Sequence, residues 1–358
     1  MYVDPMRNCL PLTNDRPVIS LAASPDGKWL AVGQTGRNEI TLTIWDTETW
    51  GCAASVEGDG VCSLSFNRHS DTLAYTDGQY GINMFDLKTM STGDFLSVDR
   101  PRKISYARSK DLLLVCGQAV TVWGLPEISG SFNTMNEDYT VDPDTGEVTF
   151  TNYQHPEPLF RYDDYRGFEQ TGLLSPEILE NYYVLPKWIN TGERRSNGHA
   201  GAVFCQQDNS ILITGNYQPV FSRYDLASGQ LAQQYPGGLL QTAEIMTDPA
   251  EEYLFVISTA PRTNLLWHLP TMERALPDVL HDRRYGAKLA CLHPSGRFLA
   301  TSNPFGPIRI LDIGNGKFLP KEGPRNTNIN VMTFSGDGRQ LITADYGSLV
   351  LTDIEEYL

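Results

Sequence analysis

The chain is 358 residues long and 41% hydrophobic, and its 28 Lys+Arg against 43 Asp+Glu give a formal net charge of -15. This composition supports a packed core and argues against pervasive disorder, while the excess of acid argues against a general affinity for nucleic acid, whose backbone demands clustered Lys and Arg. Its apolar runs stop at five to six residues, as in Asp111-Leu-Leu-Leu-Val-Cys116, too short for a membrane-spanning helix, and the opening Met1–Leu10 shows no basic start before an apolar run, which favours the cytoplasm.

In chain order, one unit recurs. An alternating apolar segment turns sharply, resumes as a second β-like run, and leads to a third run that ends in an aromatic or aliphatic residue, often followed by Asp. The first copy runs from Val18 to Gly33 and then Ile40-Thr-Leu-Thr-Ile-Trp-Asp46. The second runs from Val61 to Tyr75 and then Ile82-Asn-Met-Phe-Asp86, and the third from Ile104 to Val115 and then Val120-Thr-Val-Trp-Gly124. Four more copies follow a gap: Ala202–Thr214 with Phe221–Asp225, Ala243–Ser258 with Leu265–His268, Leu289–Thr301 with Ile308–Asp312, and Val331–Thr343 with Leu349–Asp353. The residues before the first turn of each copy are Ala23, Phe66, Tyr106, Cys205, Thr247, Leu292 and Phe334, spaced by 43, 40, 99, 42, 45 and 42. One interval is anomalous.

The turns have a mechanism. Ser24-Pro-Asp-Gly27, His293-Pro-Ser-Gly296 and Ser335-Gly-Asp-Gly338 put Pro where φ near −65° is needed, or Gly where φ is positive, between alternating strands. Short hairpins at a regular interval predict an all-β ring in which neighbouring blades hide each other's sheet edges. The Ser-Pro-Asp-Gly turns, the Trp45-Asp46 dipeptide with its echoes Phe85-Asp86, Tyr224-Asp225 and Leu311-Asp312, and Gly198-His199 resemble the WD-repeat β-propeller family over roughly 80% of the chain. Only one Gly-His is present and most copies lack the family's His-Ser-Asp-Trp hydrogen-bond set. Asp77 and Asp345 match its turn aspartate best.

The resemblance implies one domain over residues 1–358, a seven-bladed β-propeller of four-stranded antiparallel blades. The last copy stops at Asp353-Ile-Glu-Glu-Tyr-Leu358, too short for a fourth strand, so Asn8–Thr13 is expected to pair with it and close the ring. The anomalous interval implies an insertion between blades 3 and 4, over residues 126–197. Within it Tyr139–Tyr153 reads as a hairpin around an Asp-Thr-Gly turn. Phe160–Phe168 reads as aromatic loop, and Ser175-Pro-Glu starts a short helix with an N-cap Ser, Pro at the first position and acid in the first turn. A divergent eighth blade is the alternative. The insert's aromatic residues either pack on the outside of the ring or present a partner site.

Chemistry is scarce. There is no G-x-S-x-G nucleophile turn, no phosphate-cradling G-x-x-x-x-G-K-[ST], no H-E-x-x-H and no EF-hand spacing. The six histidines (His69, His155, His199, His268, His281 and His293) are scattered, and His268 stands where Asp follows the aromatic in other copies. Cys9, Cys52, Cys62, Cys116, Cys205 and Cys291 form no C-x-x-C pair and read as small core residues in a reducing compartment. No cofactor or metal is expected.

In a propeller the loops joining one blade to the next share a rim with the loops joining second to third strands. The first set carries Arg16, then Arg100 and Arg102, then Arg194 and Arg195, then Arg283, Arg284 and Tyr285, then Arg325. The second carries Arg37, Tyr80, Tyr217, Arg262, Phe305 and Tyr346. Arginine and aromatic side chains are enriched in binding hot spots, and Arg pairs bidentately with carboxylate or phosphate. The sequence therefore reads as a non-catalytic protein-interaction scaffold, a complex subunit that takes an acidic or phosphorylated protein partner on this rim, with no membrane or nucleic-acid role. Two alternatives stand beside it: the arginines only replace Gly-His histidines or solubilise loops, or the protein is an enzyme or small-ligand binder using the axial channel.

Overall fold

A computed structural model of the chain describes residues 9–12, 15–76, 81–98, 101–117, 119–124, 139–141, 148–150, 158–163, 201–214, 220–236, 242–259, 262–276, 289–302, 307–323 and 329–357. These residues build seven four-stranded antiparallel sheets and one separate two-stranded hairpin. No helix among them is long and apolar enough to cross a membrane. In blade 1 the strands run from the axis outward as Val18–Ala23, Trp29–Gln34, Glu39–Asp46 and Gly51–Gly58. The innermost strands of blades 2 to 7 are Leu64–Phe66, Lys103–Tyr106, Gly201–Cys205, Thr242–Thr247, Leu289–Leu292 and Val331–Phe334. The seven residues aligned from sequence are the last residues of these seven strands.

Ring closure follows the expected plan. Cys9–Pro11 is the outer strand of blade 7, antiparallel to Ser348–Asp353, with Leu10 opposite Leu349. The Leu12 amide continues the ladder to the Gly347 carbonyl at 2.9 Å. Leu12 itself is buried with Val18, Leu30 and Val32 of blade 1 and Leu349 and Leu351 of blade 7.

The hydrophobic core is divided into seven parts, one between each pair of adjacent blades. Successive residues of a strand face opposite sides of its sheet, so a second strand buried on both faces reads as a continuous apolar run. Leu30 and Val32 pack toward blade 7 while Ala31 packs toward blade 2, and all three are fully buried. A single blade thus has two apolar faces and no core of its own, which is why the ring is the smallest stable unit.

The anomalous interval differs from expectation in one respect. Phe160–Asp163, read from sequence as loop, is the outer strand of blade 3 and pairs with Ala119–Val122 of the third strand. An outer strand has one neighbour, so its position is set by that ladder rather than by a pattern of its own, and four residues flanked by Pro158 and a run of charge give little signal. Phe160 is buried against blade 4, its ring 5.3 Å from that of Tyr224. The expected hairpin is present as Tyr139–Val141 paired with Val148–Phe150, in the connection between the third and outer strands of blade 3. No other strand pairs with this hairpin among the described residues, which leaves seven blades. The helix expected at Ser175 lies outside the described residues.

In blades 1, 2, 4 and 6 the aspartate that ends the third strand caps the next turn. Asp46 Oδ1 accepts from the amides of Glu48 and Thr49, Asp86 from Lys88 and Thr89, Asp225 from Ser228, and Asp312 from Gly314. In blade 5 His268 replaces it, its Nδ1 3.0 Å from Thr271 Oγ1. The indoles of Trp45 and Trp123 donate to Thr43 and Thr121, two residues earlier on the same face. In blade 5 the position is Leu265, and the buried Trp267 indole N–H has no partner among the described residues.

The cysteines divide evenly, correcting the expectation that they are core residues. Cys116, Cys205 and Cys291 are buried, whereas Cys9, Cys52 and Cys62 are exposed, and all six are free thiols. Burial pushes the Cys116 thiol up to about 11 and that of Cys205 to about 12, so both stay protonated and unreactive. A thiol reagent is expected to label three cysteines in the native protein and six after unfolding. Labelling of all six in the native state would contradict this packing.

Candidate functional site

Blade-to-blade loops and second-to-third-strand loops do share a rim. Arg16, in the loop entering blade 1, forms a bidentate pair with Glu39 at the start of the third strand, with Nε to Oε2 at 2.9 Å and Nη2 to Oε1 at 2.6 Å. Glu39 holds the Arg16 cation more firmly and is itself pulled below the usual carboxylate range. Both side chains are solvent-exposed, so the pair adds little to stability.

The axis holds a cavity of about 700 Å³ lined by the inner strands. Its lining includes Arg102 and Lys103 at the start of blade 3's inner strand, Glu244 of blade 5, and three thiols, those of Cys62, Cys116 and Cys291. Lys103 Nζ lies 3.3 Å from Glu244 Oε1 and donates to the Ile245 carbonyl at 3.0 Å. No group of three or more His, Cys, Asp or Glu arranged to hold a metal ion occurs among the described residues.

The opposite rim, built from the first hairpin turns, is tied together around the whole ring. The Asp26 amide donates to Ser70 Oγ, linking blades 1 and 2, and Arg68 forks onto Asp111, linking 2 and 3. Ser109 donates through its amide and hydroxyl to Asp208, linking 3 and 4, and the Gln207 amide donates to Glu251, linking 4 and 5. Between blades 5 and 6 the approach is so close that a Cβ on Gly296 would lie 2.7 Å from Asp248 Oδ2. Between 7 and 1, a Cβ on Gly336 would run into the Ser24 carbonyl and the Gly27 backbone.

His293 makes the link from blade 6 to blade 7. Its Nδ1 accepts from the Ser295 amide at 3.0 Å, which fixes the proton on Nε2, and Nε2 donates to the Gly338 carbonyl at 2.8 Å. Burial lowers its pKa and keeps the ring neutral. Polar bonds therefore bridge the turns at five junctions, and close approach at Gly296 and Gly336 marks the other two.

No protein-family model matches the chain, and no curated protein matches it. Among solved structures, the β-propeller domain of Myceliophteria thermophila Cps50 (Swd1) is similar, with a TM-score of 0.63 at 14% sequence identity over 94% of this chain and 97% of that one. The fold is that of a seven-bladed β-propeller. At this identity the likeness is one of fold, and a fold does not by itself fix a function.

On this propeller, the rim residues singled out from sequence fall as follows. Arg16 is exposed and held by Glu39, Arg102 is exposed at the channel lining, and Tyr346 is 53% exposed on the second-to-third-strand loop of blade 7. Arg262 begins the third strand of blade 5. Tyr80, Arg100, Tyr217, Arg283, Arg284, Tyr285, Phe305 and Arg325 lie outside the described residues. Sequence reasoning passed over Lys103 and Glu244, which are 141 residues apart and meet only because the ring brings blades 3 and 5 to one axis. It placed the turn of blade 4 after Cys205 but gave it no role, since Gln206-Gln207-Asp208-Asn209 has neither Gly nor Pro.

Proposed function

We propose that the protein is a non-catalytic interaction platform, a subunit of a larger cytoplasmic assembly, that binds an acidic or phosphorylated segment of a partner protein on the arginine and aromatic rim. The observation that carries this reading is the Arg16–Glu39 pair. In blade 1 it joins the entering loop to the start of the third strand, in the bidentate guanidinium–carboxylate form that an acidic partner would also take. In sequence, Arg283, Arg284 and Tyr285 precede blade 6 and Arg325 precedes blade 7, in a chain whose net charge is -15.

The axial channel is the rival site, and its chemistry supports catalysis poorly. The one carboxylate in its described lining, Glu244, is already paired with Lys103, and burial holds the Cys116 and Cys291 thiols protonated. Replacing Arg283 and Arg284 together by Glu is expected to weaken the partner complex by at least about tenfold and to remove most of its salt sensitivity. Unchanged affinity in a titration of the purified partner would overturn the proposal.

A further inference from the structure

The ring is irregular at one junction. At six of its seven junctions the inner strands of adjacent blades pack on each other, whereas the inner strand of blade 4, Gly201–Cys205, packs on blade 3 chiefly through the second strand, Leu112–Cys116. Blade 4 contributes Gly201 alone to the described lining of the axial cavity, and Cys116 and Gly117 of blade 3 line it alongside. Blade 4 is therefore set back from the axis.

Two side chains of blade 3 reach past it to blade 5. Lys103, the first residue of blade 3's inner strand, donates from Nζ to the Ile245 carbonyl at 3.0 Å and lies 3.3 Å from Glu244 Oε1. Arg108, just beyond the other end of that strand, donates from Nη2 to the Thr247 carbonyl at 2.8 Å and from Nη1 to the Asp248 carbonyl. The two cations thus clip both ends of one inner strand to the inner strand of the next blade but one. Charge-assisted bonds are stronger than neutral ones, and Arg108 is buried enough for its pKa to be lowered.

Chain connectivity singles out the same junction. Residues 164–200 join blade 3 to blade 4, whereas residues 59–63, 98–102 and 237–241 suffice between blades 1 and 2, 2 and 3, and 4 and 5. A longer connection lets the blades it joins part further before it is taut. Blades 3 and 4 are held directly by the core between them, which includes Cys116, Phe160 and Phe204, and by the bonds of Ser109 to Asp208.

We propose that the junction of blades 3 and 4 is the seam of the ring, the place where it opens first, and that Lys103 and Arg108 are the catches that keep it shut. Opening there parts the catches and exposes Cys116, while blade 4 stays packed on blade 5, with which it shares a core and inner-strand contacts. Openings of this kind cost less than global unfolding and occur in cooperative units.

Three buried thiols report on three junctions: Cys116 between blades 3 and 4, Cys205 between 4 and 5, and Cys291 between 6 and 7. The test measures labelling of each by a maleimide in the full-length chain, at urea concentrations below the unfolding midpoint, with the sites resolved by mass spectrometry. Relative to the unfolded chain, Cys116 is expected to label at least about tenfold faster than Cys205 and Cys291, and with a shallower urea slope, since the slope scales with the surface exposed. K103M/R108M is expected to speed Cys116 by at least about tenfold, because the open state has already lost these bonds. The Lys103 charge favours the Cys116 thiolate, so its loss without opening would slow the reaction instead. I342V, in the core between blades 7 and 1, is expected to speed Cys291 by about threefold and leave Cys116 unchanged, since that core survives opening of the seam. One urea slope shared by all three thiols, a Cys116 rate that ignores urea, labelling of Cys205 in step with Cys116, or an unchanged Cys116 rate in K103M/R108M would overturn the proposal. The wild-type slopes alone decide it where the double variant does not fold.

Discussion

Removal of residues 1–14 is expected to lower thermal stability sharply and to turn the protein toward aggregation. The lost piece includes the whole outer strand of blade 7, which pairs through Cys9, Leu10 and Pro11 with the third strand. It also includes Leu12, buried in the core between blades 7 and 1. Losing a buried Leu side chain alone costs about 2–5 kcal/mol, and the truncation adds to this a bare edge on Ser348–Asp353, open to pairing with another chain. In a closed ring the effect spreads, because blades 1 and 7 each bury one face only against the other. The experiment is thermal unfolding with size-exclusion chromatography, beside a Cys9→Ser control at an exposed position of the same strand. A monomeric truncation that melts like the wild type would show that the ring is held shut by something other than this strand.

Phe221→Ala is expected to destabilise the protein by about 3–5 kcal/mol, measured as a shift in the urea midpoint at unchanged slope. Phe221 is fully buried between blades 4 and 5 and meets Trp267 edge to face, with ring centroids 5.5 Å apart. Its removal leaves a cavity beside an indole whose N–H already has no partner among the described residues, and nothing polar is available to repair it. Against a total stability on the order of 5–15 kcal/mol, this is a large fraction. A loss below about 1 kcal/mol would mean that the junction between blades 4 and 5 is looser than the packing shows.

Much of the fold was legible because its signals are local and repeated. A hairpin turn such as Ser24-Pro-Asp-Gly27 announces itself through backbone chemistry, and a third strand ending in Trp45-Asp46 does so because the carboxylate must cap the turn that follows. Closure by the N-terminal strand was legible as a deficit, since the last repeat lacks a fourth strand. The outer strand of blade 3 was not, because Phe160–Asp163 takes its shape from Ala119–Val122, nearly forty residues away. The exposure of Cys52 and Cys62 was missed for a related reason. Alternation shows that a residue lies on a strand, but not whether a neighbouring blade covers that face.

The functional surfaces were legible in kind rather than in arrangement. Arg16 could be assigned to a rim loop, but its pairing with Glu39 depends on two loops folding over one blade edge. The turn-to-turn bracing was invisible, since it uses a different device at each junction: a serine hydroxyl, a guanidinium, a carboxylate, a histidine ring, a glycine that lets backbones touch. One rim is bridged from turn to turn, and the proposed partner site is assigned to the opposite rim.

The most direct test of that division is affinity purification of the full-length protein from its native cell, with quantitative mass spectrometry, in parallel with R283E/R284E and at low and high salt. The account predicts a stoichiometric protein partner bearing an acidic or phosphorylated segment, lost with the double reversal and released by salt. A stoichiometric partner retained undiminished by both would contradict it.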